Sequence, residues 1–324
     1  MNNSRKRIFI TGCAGFIGFH LAQALSSRGD FVIGCDNFNA YYDPELKRVR
    51  AHHLKEQEID VVDYSISDTA KLEHLIEEHQ ITHLVHLAAQ AGVRYSITHP
   101  EKYQETNSNG FFHILELLRK YPHIKFTFAS SSSVYGLNKK TPFSEGDITD
   151  HPANFYGATK KANELMAFAY HHLYGIPTTA LRFFTVYGPY GRPDMAYYFF
   201  TKAIEEGTPI KVFNYGKMER DFTYIDDIVD GICSAIDLES AFEVFNLGNN
   251  RPEPLMKMIQ TLETLIGKKA ILDMLPMQPG EIPTTFADIT KAKENLKFNP
   301  QTSLETGLEK FYAWYQIAHS TLSR

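Results

Sequence analysis

The sequence predicts an α/β fold: a doubly wound parallel sheet of the Rossmann type, with a smaller C-terminal substrate-binding lobe. Three observations predict it. Short apolar, β-rich runs alternate with helical patterns through the first 182 residues, the arrangement that builds parallel β-α-β units. A glycine-rich turn, Gly12-Cys-Ala-Gly15-Phe-Ile-Gly18, separates the first run from the first helix. An acidic residue, Asp36, ends the second run.

Taken in order, Arg7 to Thr11 is a first strand, and a helix with one apolar face follows from about Phe16 to Ser27. Phe31 to Cys35 and Ile59 to Val62 are the next two strands. A helical stretch at Lys71–His79 leads into a strand at Leu84–Ala88, and a long helix is expected over Glu101–Lys120. Then come a strand at Lys125–Ala129, a helix at Phe155–Leu173 and a strand at Thr178–Arg182. Six or more strands suffice for a doubly wound sheet. Beyond Arg182, proline, glycine and aromatic residues become frequent. Residues 1–182 are therefore assigned to a dinucleotide-binding domain and residues 183–324 mainly to the second lobe. The strand-like Val244–Leu247 is expected to return to the main sheet.

Composition narrows the functional classes. The chain has 324 residues, 43% hydrophobic and 22% charged, enough to bury a sizeable core. A net charge of -5 and a pI near 6.3 give no general attraction to nucleic acid or to an anionic membrane. An anionic substrate would need a local cluster of positive groups. Cys13, Cys35 and Cys233 are far apart and odd in number. No disulfide framework or metal site is expected, and a reducing cytoplasm fits. Arg5, Lys6 and Arg7 precede an apolar stretch, but Thr11, three glycines and His20 interrupt it, so it is read as strand, turn and helix rather than as a signal peptide. No run has the length of a bilayer span.

Gly12, Gly15 and Gly18 let the turn tighten, let backbone approach a pyrophosphate and leave the N–H groups of a helix start facing the phosphates. The spacing is G-x-x-G-x-x-G rather than the more familiar G-x-G-x-x-G. Asp36 lies at the expected distance downstream for an acid that binds the adenosine ribose hydroxyls, which favours NAD over the phosphorylated cofactor. Asp63, after the third strand, reads as an adenine contact or a helix N-cap.

Tyr156-Gly-Ala-Thr-Lys160 places a phenol and an ammonium on one helical face. A free phenol titrates near pH 10; a neighbouring cation and an oxidised nicotinamide would lower that value and make it a usable base. Ser130, Ser131, Ser132 and Ser133 follow an apolar strand and put hydroxyls at the carboxyl edge of the sheet. His83, His86, His171 and His172 have no nucleophile or metal partner at a suitable spacing and read as packing or surface residues.

Together with His86-Leu-Ala-Ala-Gln-Ala-Gly92-Val-Arg94, these motifs resemble the extended short-chain dehydrogenase/reductase family over nearly the whole chain. The resemblance implies NAD as cofactor and a catalytic Ser/Tyr/Lys set: Ser133 (with Ser131 close by), Tyr156 and Lys160. It assigns to the cofactor Gly12, Gly15, Phe16, Ile17, Gly18, Asp36, Asn37, Asp63, Leu87, Ala88, Ala89, Gln90, Asn107 and Ser131, besides Tyr156 and Lys160. It also implies a homodimer packed through the helices near 101–120 and 155–173.

Leu181-Arg-Phe-Phe-Thr-Val-Tyr-Gly-Pro-Tyr-Gly-Arg-Pro-Asp-Met-Ala196 resembles the matching stretch of the family's UDP-glucuronate 4-epimerases. There the matching Thr and Arg hold the sugar carboxylate, which points to Thr185 and Arg192. An arginine offers a planar fork to a carboxylate and a hydroxyl adds a donor. The resemblance further implies a UDP-sugar substrate met by Arg94, Ser133, Met195, Phe213 (by the uracil), Arg220 (at the diphosphate) and Glu281 (at the uridine ribose). Family dehydratases and decarboxylases carry Asp or Glu in the segment matching Ser131–Ser133, and this chain has only serines there. That favours inversion at C4 through a 4-keto sugar. Tyr190, Asn154 and Gly157 depart from the family's usual Trp, Ser and Ala. The alternatives left open are a UDP-glucose/galactose 4-epimerase, a UDP-glucuronate decarboxylase and a non-catalytic dinucleotide sensor.

Overall fold

The structure is a computed structural model and describes residues 5–277 and 282–322. The first half runs β1 (Arg7–Thr11), α1 (Phe16–Ser27), β2 (Phe31–Asp36), α2 (Pro44–Glu56), β3 (Asp60–Asp63), α3 (Thr69–Glu78) and β4 (His83–His86). Two short helices follow, α4 (Val93–Thr98) and α5 (Pro100–Tyr103), then a π-helical segment Gln104–Gly110 and α6 (Phe111–Lys120). Next come β5 (Lys125–Ser131), a 3-10 turn Ser132–Tyr135, α7 (Phe155–Tyr174) and β6 (Thr178–Phe183). The rest is β7 (Thr185–Tyr187), α8 (Ala196–Glu206), β8 (Pro209–Val212), a 3-10 turn Phe213–Gly216, β9 (Glu219–Tyr224), α9 (Ile225–Asp237) and β10 (Phe242–Leu247). It ends with β11 (Pro252–Pro254), α10 (Leu255–Ile266), β12 (Ile271–Met274), β13 (Thr284–Thr285), α11 (Thr290–Leu296) and α12 (Leu304–Leu322).

The main sheet has seven strands in the order β10-β6-β5-β4-β1-β2-β3, all parallel. Helices cover both faces, so the central strands read as continuous apolar runs; Ile8, Phe9 and Ile10 of β1 are fully buried. One core cluster gathers Ile8, Ile10, Phe19, Leu21 and Leu25 with Ile228 and Ile232 of α9. The other joins Phe9, Leu72, Leu75, Ile114, Leu118, Phe126 and Phe128. The chain order reverses between β1 and β4, which places a crevice at the carboxyl ends of those strands. As expected, β10 pairs with β6, with Val244 opposite Ala180. In the second half β11, β9 and β13 form a small sheet to which β7 adds through β9, and β12 pairs with β8. Among the described residues no helix is long and apolar enough to cross a membrane, and no group of three or more His, Cys, Asp or Glu is placed to hold a metal.

Two differences from the expectation concern helices. The helix expected over Glu101–Lys120 is interrupted by the π-helical segment at Gln104–Gly110; its wider turn adds a residue and turns the side chains that follow. The sequence reading passed over α2 altogether. Asp43 caps it, accepting from Glu45 N–H at 2.9 Å, and Pro44 opens it. Its inward residues are Lys47, Arg50 and Leu54. Two of the three are cations, so no apolar stripe announces the buried face.

Candidate active site

A cleft runs along the carboxyl edge of the main sheet, from the β1–α1 turn to the stretch after β6. At its base Gly12 has φ +71°, and a Cβ there would lie 2.7 Å from Ala88 N. A Cβ on Gly15 would lie 2.9 Å from the Gly12 carbonyl oxygen, and one on Gly18 would strike the same atom. The three glycines thus let the turn, the start of α1 and the Leu87–Ala88 backbone close on one another. Gly12, Gly15, Phe16, Ile17 and Gly18 all line the cleft, with the N-terminus of α1 turned toward it. These features fit a dinucleotide's diphosphate.

Asp36 and Asn37 line the cleft at the end of β2. Asp36 accepts from Phe38 N–H at 2.9 Å and faces Lys47 Nζ at 3.8 Å. Burial raises its pKa, and Lys47 and the Phe38 N–H only partly oppose this. Asp63 is exposed and does not line the cleft; Tyr64 and Ile66 do. Nor is Asp63 a helix cap, since Asp68 holds that position before α3. Ending β3 turns its short side chain outward while the residues after it fold in.

Leu87, Ala88, Ala89 and Gln90 line the cleft after β4. Asn107 does not; it braces that loop from behind. Its Oδ1 accepts from Gln90 N–H at 2.8 Å, and its Nδ2 donates to Gln90 O at 3.0 Å and to Thr159 Oγ1 at 3.1 Å. The π-helical segment accounts for the difference, sending Thr106 to the cleft and Asn107 into the protein.

α7 carries Tyr156 and Lys160 into the cleft together. Asn154 caps it, accepting from Gly157 N–H at 2.9 Å. A Cβ on Gly157 would lie 2.5 Å from Ser133 O, so glycine lets the start of the helix pack on the serine turn. Lys160 Nζ donates to Ala129 O at 2.8 Å, and burial lowers its pKa to about 8. The Tyr156 phenol is raised rather than lowered: burial dominates, opposed by the Ser131 hydroxyl and then by the charge of Arg192. Ser131, not Ser133, is the serine that faces Tyr156 and lines the cleft. Ser133 lies one step into the 3-10 turn, where its N–H donates to Ser131 Oγ at 3.1 Å. The strand runs two residues further than expected, to Ser131, and this moves the edge position back from Ser133. Beneath it, Glu164 accepts from Ser130 Oγ at 2.6 Å and from Arg182 at 2.9 and 2.8 Å, a buried pair locking β5, β6 and α7.

The opposite end of the cleft is lined by Phe183, Phe184, Val186, Arg192 and Met195. Thr185 lies between two of these on β7, but its own side chain is not part of the lining, since a strand turns successive residues to opposite faces. Arg192 is engaged by Asp194 through Nε at 3.0 Å and Nη2 at 2.5 Å. Arg94 stacks on Phe213 with its guanidinium 4.4 Å from the ring centroid. Arg220 donates to Glu219 O and Pro283 O, both at 2.8 Å. Glu281 lies outside the described residues.

Tyr41, Tyr42 and Lys47 also line the cleft, and Arg50 lies buried behind it. The sequence reading missed all four. The signal that could have found them was the Asp43-Pro44 helix start followed by cations at four- and three-residue steps.

The family model described as GDP-mannose 4,6 dehydratase matches residues 9–311. The chain belongs to the extended short-chain dehydrogenase/reductase family. Among its family relatives, UDP-glucuronate 4-epimerase 4 of Arabidopsis thaliana is 47% identical over 98% of this chain and 77% of its own length. An uncharacterized protein of Methanocaldococcus jannaschii is 49% identical over 96% of both chains. Among solved structures, the UDP-glucuronic acid 4-epimerase of Bacillus cereus in complex with UDP-glucuronic acid and NAD superposes with a TM-score of 0.89, at 36% identity, over 96% of this chain and 99% of that one.

Proposed function

We propose that the protein is an NAD-dependent UDP-glucuronate 4-epimerase, giving UDP-galacturonate through a 4-keto intermediate. One observation carries this reading: an arginine fork, Arg192, opens into the same cleft as Tyr156, Lys160 and Ser131, close enough for its charge to act on the phenol. A base for a sugar hydroxyl and a partner for a sugar carboxylate thus share one site. The identities to UDP-glucuronate 4-epimerases and the likeness to a structure of one with NAD support the same substrate and cofactor.

When bound, the nicotinamide supplies reversible oxidation at C4 of the sugar. The protein's residues do the rest. Ser131 Oγ orients the 4-hydroxyl, a role moved here from Ser133. Tyr156 removes the hydroxyl proton and later returns it. Lys160, buried beside the cleft, contributes a positive charge that favours the phenolate once the cofactor's own charge has joined it. Arg192 pairs with the carboxylate at the keto stage, when carbon dioxide could be lost, and the keto sugar turns over to present its other face. The protein groups alone leave the phenol raised, so proton removal is coupled to cofactor binding.

The test is product analysis by proton NMR after incubation with UDP-glucuronate and NAD. UDP-galacturonate without net reduction of NAD supports the reading; UDP-xylose or a 4-keto pentose moves it to a decarboxylase. Residues 1–182 with β10 form the cofactor domain in this reading, and most of 183–324 the substrate lobe. The cytoplasm is the proposed compartment, in line with three unpaired cysteines. A homodimer is proposed through α6 and α7, where Phe112, Leu165, Phe168 and Leu173 stand exposed; light scattering of Leu165→Glu against the parent chain tests it.

A further inference from the structure

Arg192 does not enter the cleft as a loose side chain. Asp194 takes one edge of its guanidinium, through Nε to Oδ1 at 3.0 Å and Nη2 to Oδ2 at 2.5 Å. Tyr41, arriving from the loop between β2 and α2, donates its hydroxyl to the same Oδ2 at 3.0 Å. The guanidinium carbon lies 5.9 Å from the Tyr41 ring centroid. Tyr41 is held in turn: its ring packs on Tyr95 at 4.9 Å, and its hydroxyl sits where a Cβ on Gly92 would come within 2.6 Å. Two segments far apart in the chain therefore converge on one carboxylate.

A guanidinium can take a carboxylate as a fork on two edges, side-on through Nε and one Nη or end-on through both Nη groups. Asp194 uses the side-on edge. Nη1 takes no part in the Asp194 pair, and Arg192 lines the cleft. We propose that Asp194, held by Tyr41, is a positioning residue that fixes Arg192 with its end-on edge offered to the sugar carboxylate, and so sets the preference for an acidic sugar. This rests on the functional reading above. It also makes a prediction whose sign is opposite to that of simple electrostatics. Removing the Asp194 charge leaves the cleft more positive, which by itself would tighten an anion. If orientation is what matters, the same change weakens it, because an unheld arginine must be ordered on binding.

The experiment uses the full chain loaded with NAD, comparing the parent protein, Asp194→Asn, Asp194→Glu and Tyr41→Phe. The KM and kcat for UDP-glucuronate are measured, with the Kd for UDP alone and NAD content as controls that involve no carboxylate. Asp194→Asn is expected to raise KM roughly tenfold, about the loss of one charge-assisted hydrogen bond, with UDP affinity and NAD content held within about twofold, under about 0.4 kcal/mol. Tyr41→Phe moves KM the same way by a smaller factor, and Asp194→Glu recovers part of the loss. A KM for Asp194→Asn that falls or stays level overturns the proposal; a fall would mean that Asp194 competes with substrate for Arg192. If Asp194→Asn also loses UDP, Tyr41→Phe decides, since it changes no charge: a raised KM with normal UDP affinity supports the proposal, and a level KM overturns it. A parent protein that does not distinguish UDP-glucuronate from UDP-glucose brings down the functional reading and the proposal together.

Discussion

Replacing Asn107 with Ala tests whether the loop beside the cofactor is held from behind. Asn107 is buried and closes two hydrogen bonds with the backbone of Gln90 and one with Thr159. The alanine leaves the Gln90 N–H and C=O without partners in a buried place. Each such group costs about 1–3 kcal/mol, and the Thr159 hydroxyl costs less, since it still donates to Tyr156 O at 2.8 Å. A loss of about 3 kcal/mol follows, near the middle of the range because water can enter the space. In a chain of this length that is a fall of roughly 4 °C in Tm. The effect reaches function because Gln90 lines the cleft while Thr159 lies between Tyr156 and Lys160 on α7. NAD affinity should therefore fall as well. The assay is thermal unfolding with and without NAD, together with NAD titration by calorimetry. A Tm within about one degree of the parent, corresponding to less than about 1 kcal/mol, with unchanged NAD affinity, would refute the reasoning.

Arg192→Ala should raise the KM for UDP-glucuronate by about 10–100-fold, the loss of a charge-assisted fork. It should also release carbon dioxide: in the 4-keto acid the C5–C6 bond breaks, its electron pair passes into the C4 carbonyl as an enolate, and C5 takes up a proton. The 4-keto pentose would appear by NMR beside reduced nicotinamide, and its absence would count against the carboxylate role. Ser131→Ala should lower kcat by about a hundredfold, the scale for losing a hydroxyl or amide that serves the transition state, and Ser133→Ala by much less; the reverse order would restore Ser133 to the catalytic role. Burial depresses Lys160 from 10.5 to about 8. Between those values the unfolded chain holds a proton that the native one has released, so this group makes stability rise with pH across that window. Denaturant midpoints of cofactor-free protein should show the parent gaining on Lys160→Met from pH 8 toward pH 10.5, and a flat or falling difference would be the wrong sign.

The legible parts of the fold were those in which one face or both faces of an element are apolar. β1 and β2 announced themselves as continuous apolar runs, α1 and α7 by the helical spacing of their apolar residues, and β10 by Val244–Leu247. The same rule explains why α2 was passed over, since its inward face carries Lys47 and Arg50. That the glycine turn, Asp36, Tyr156 and Lys160 share one cleft was legible because each motif calls for a specific residue at a specific spacing. Asn107 was placed in the right neighbourhood but lies behind the lining, because a π-helical turn leaves no mark in the periodicity and changes which side chain faces the cleft. Ser131 and Ser133 could not be ranked from four serines in a row; only the point where β5 ends separates them.

Arg50 shows why α2 matters to the cleft as a whole. It is fully buried, and its hydrogen bonds go to the Ala14 carbonyl at 3.0 Å, the Tyr42 hydroxyl at 2.9 Å and the Tyr190 carbonyl at 2.6 Å. None of these partners is a carboxylate, although its charge does act on Asp36. A buried cation is costly unless its donors are met; carbonyls from two different loops take its Nη groups, while Nε has no hydrogen-bond partner among the described residues. Ala14 belongs to the turn that closes on the diphosphate position; Tyr190 belongs to the loop that carries Arg192. Neither loop can shift alone without leaving a buried N–H of Arg50 unpaired. Arg50 is therefore one tie between the cofactor end and the carboxylate end of the cleft, beside the His20 Nε2 contact with Pro189 O at 2.9 Å. That fits the demand of the proposed reaction: the walls of the cleft keep their spacing while the keto sugar turns over within it.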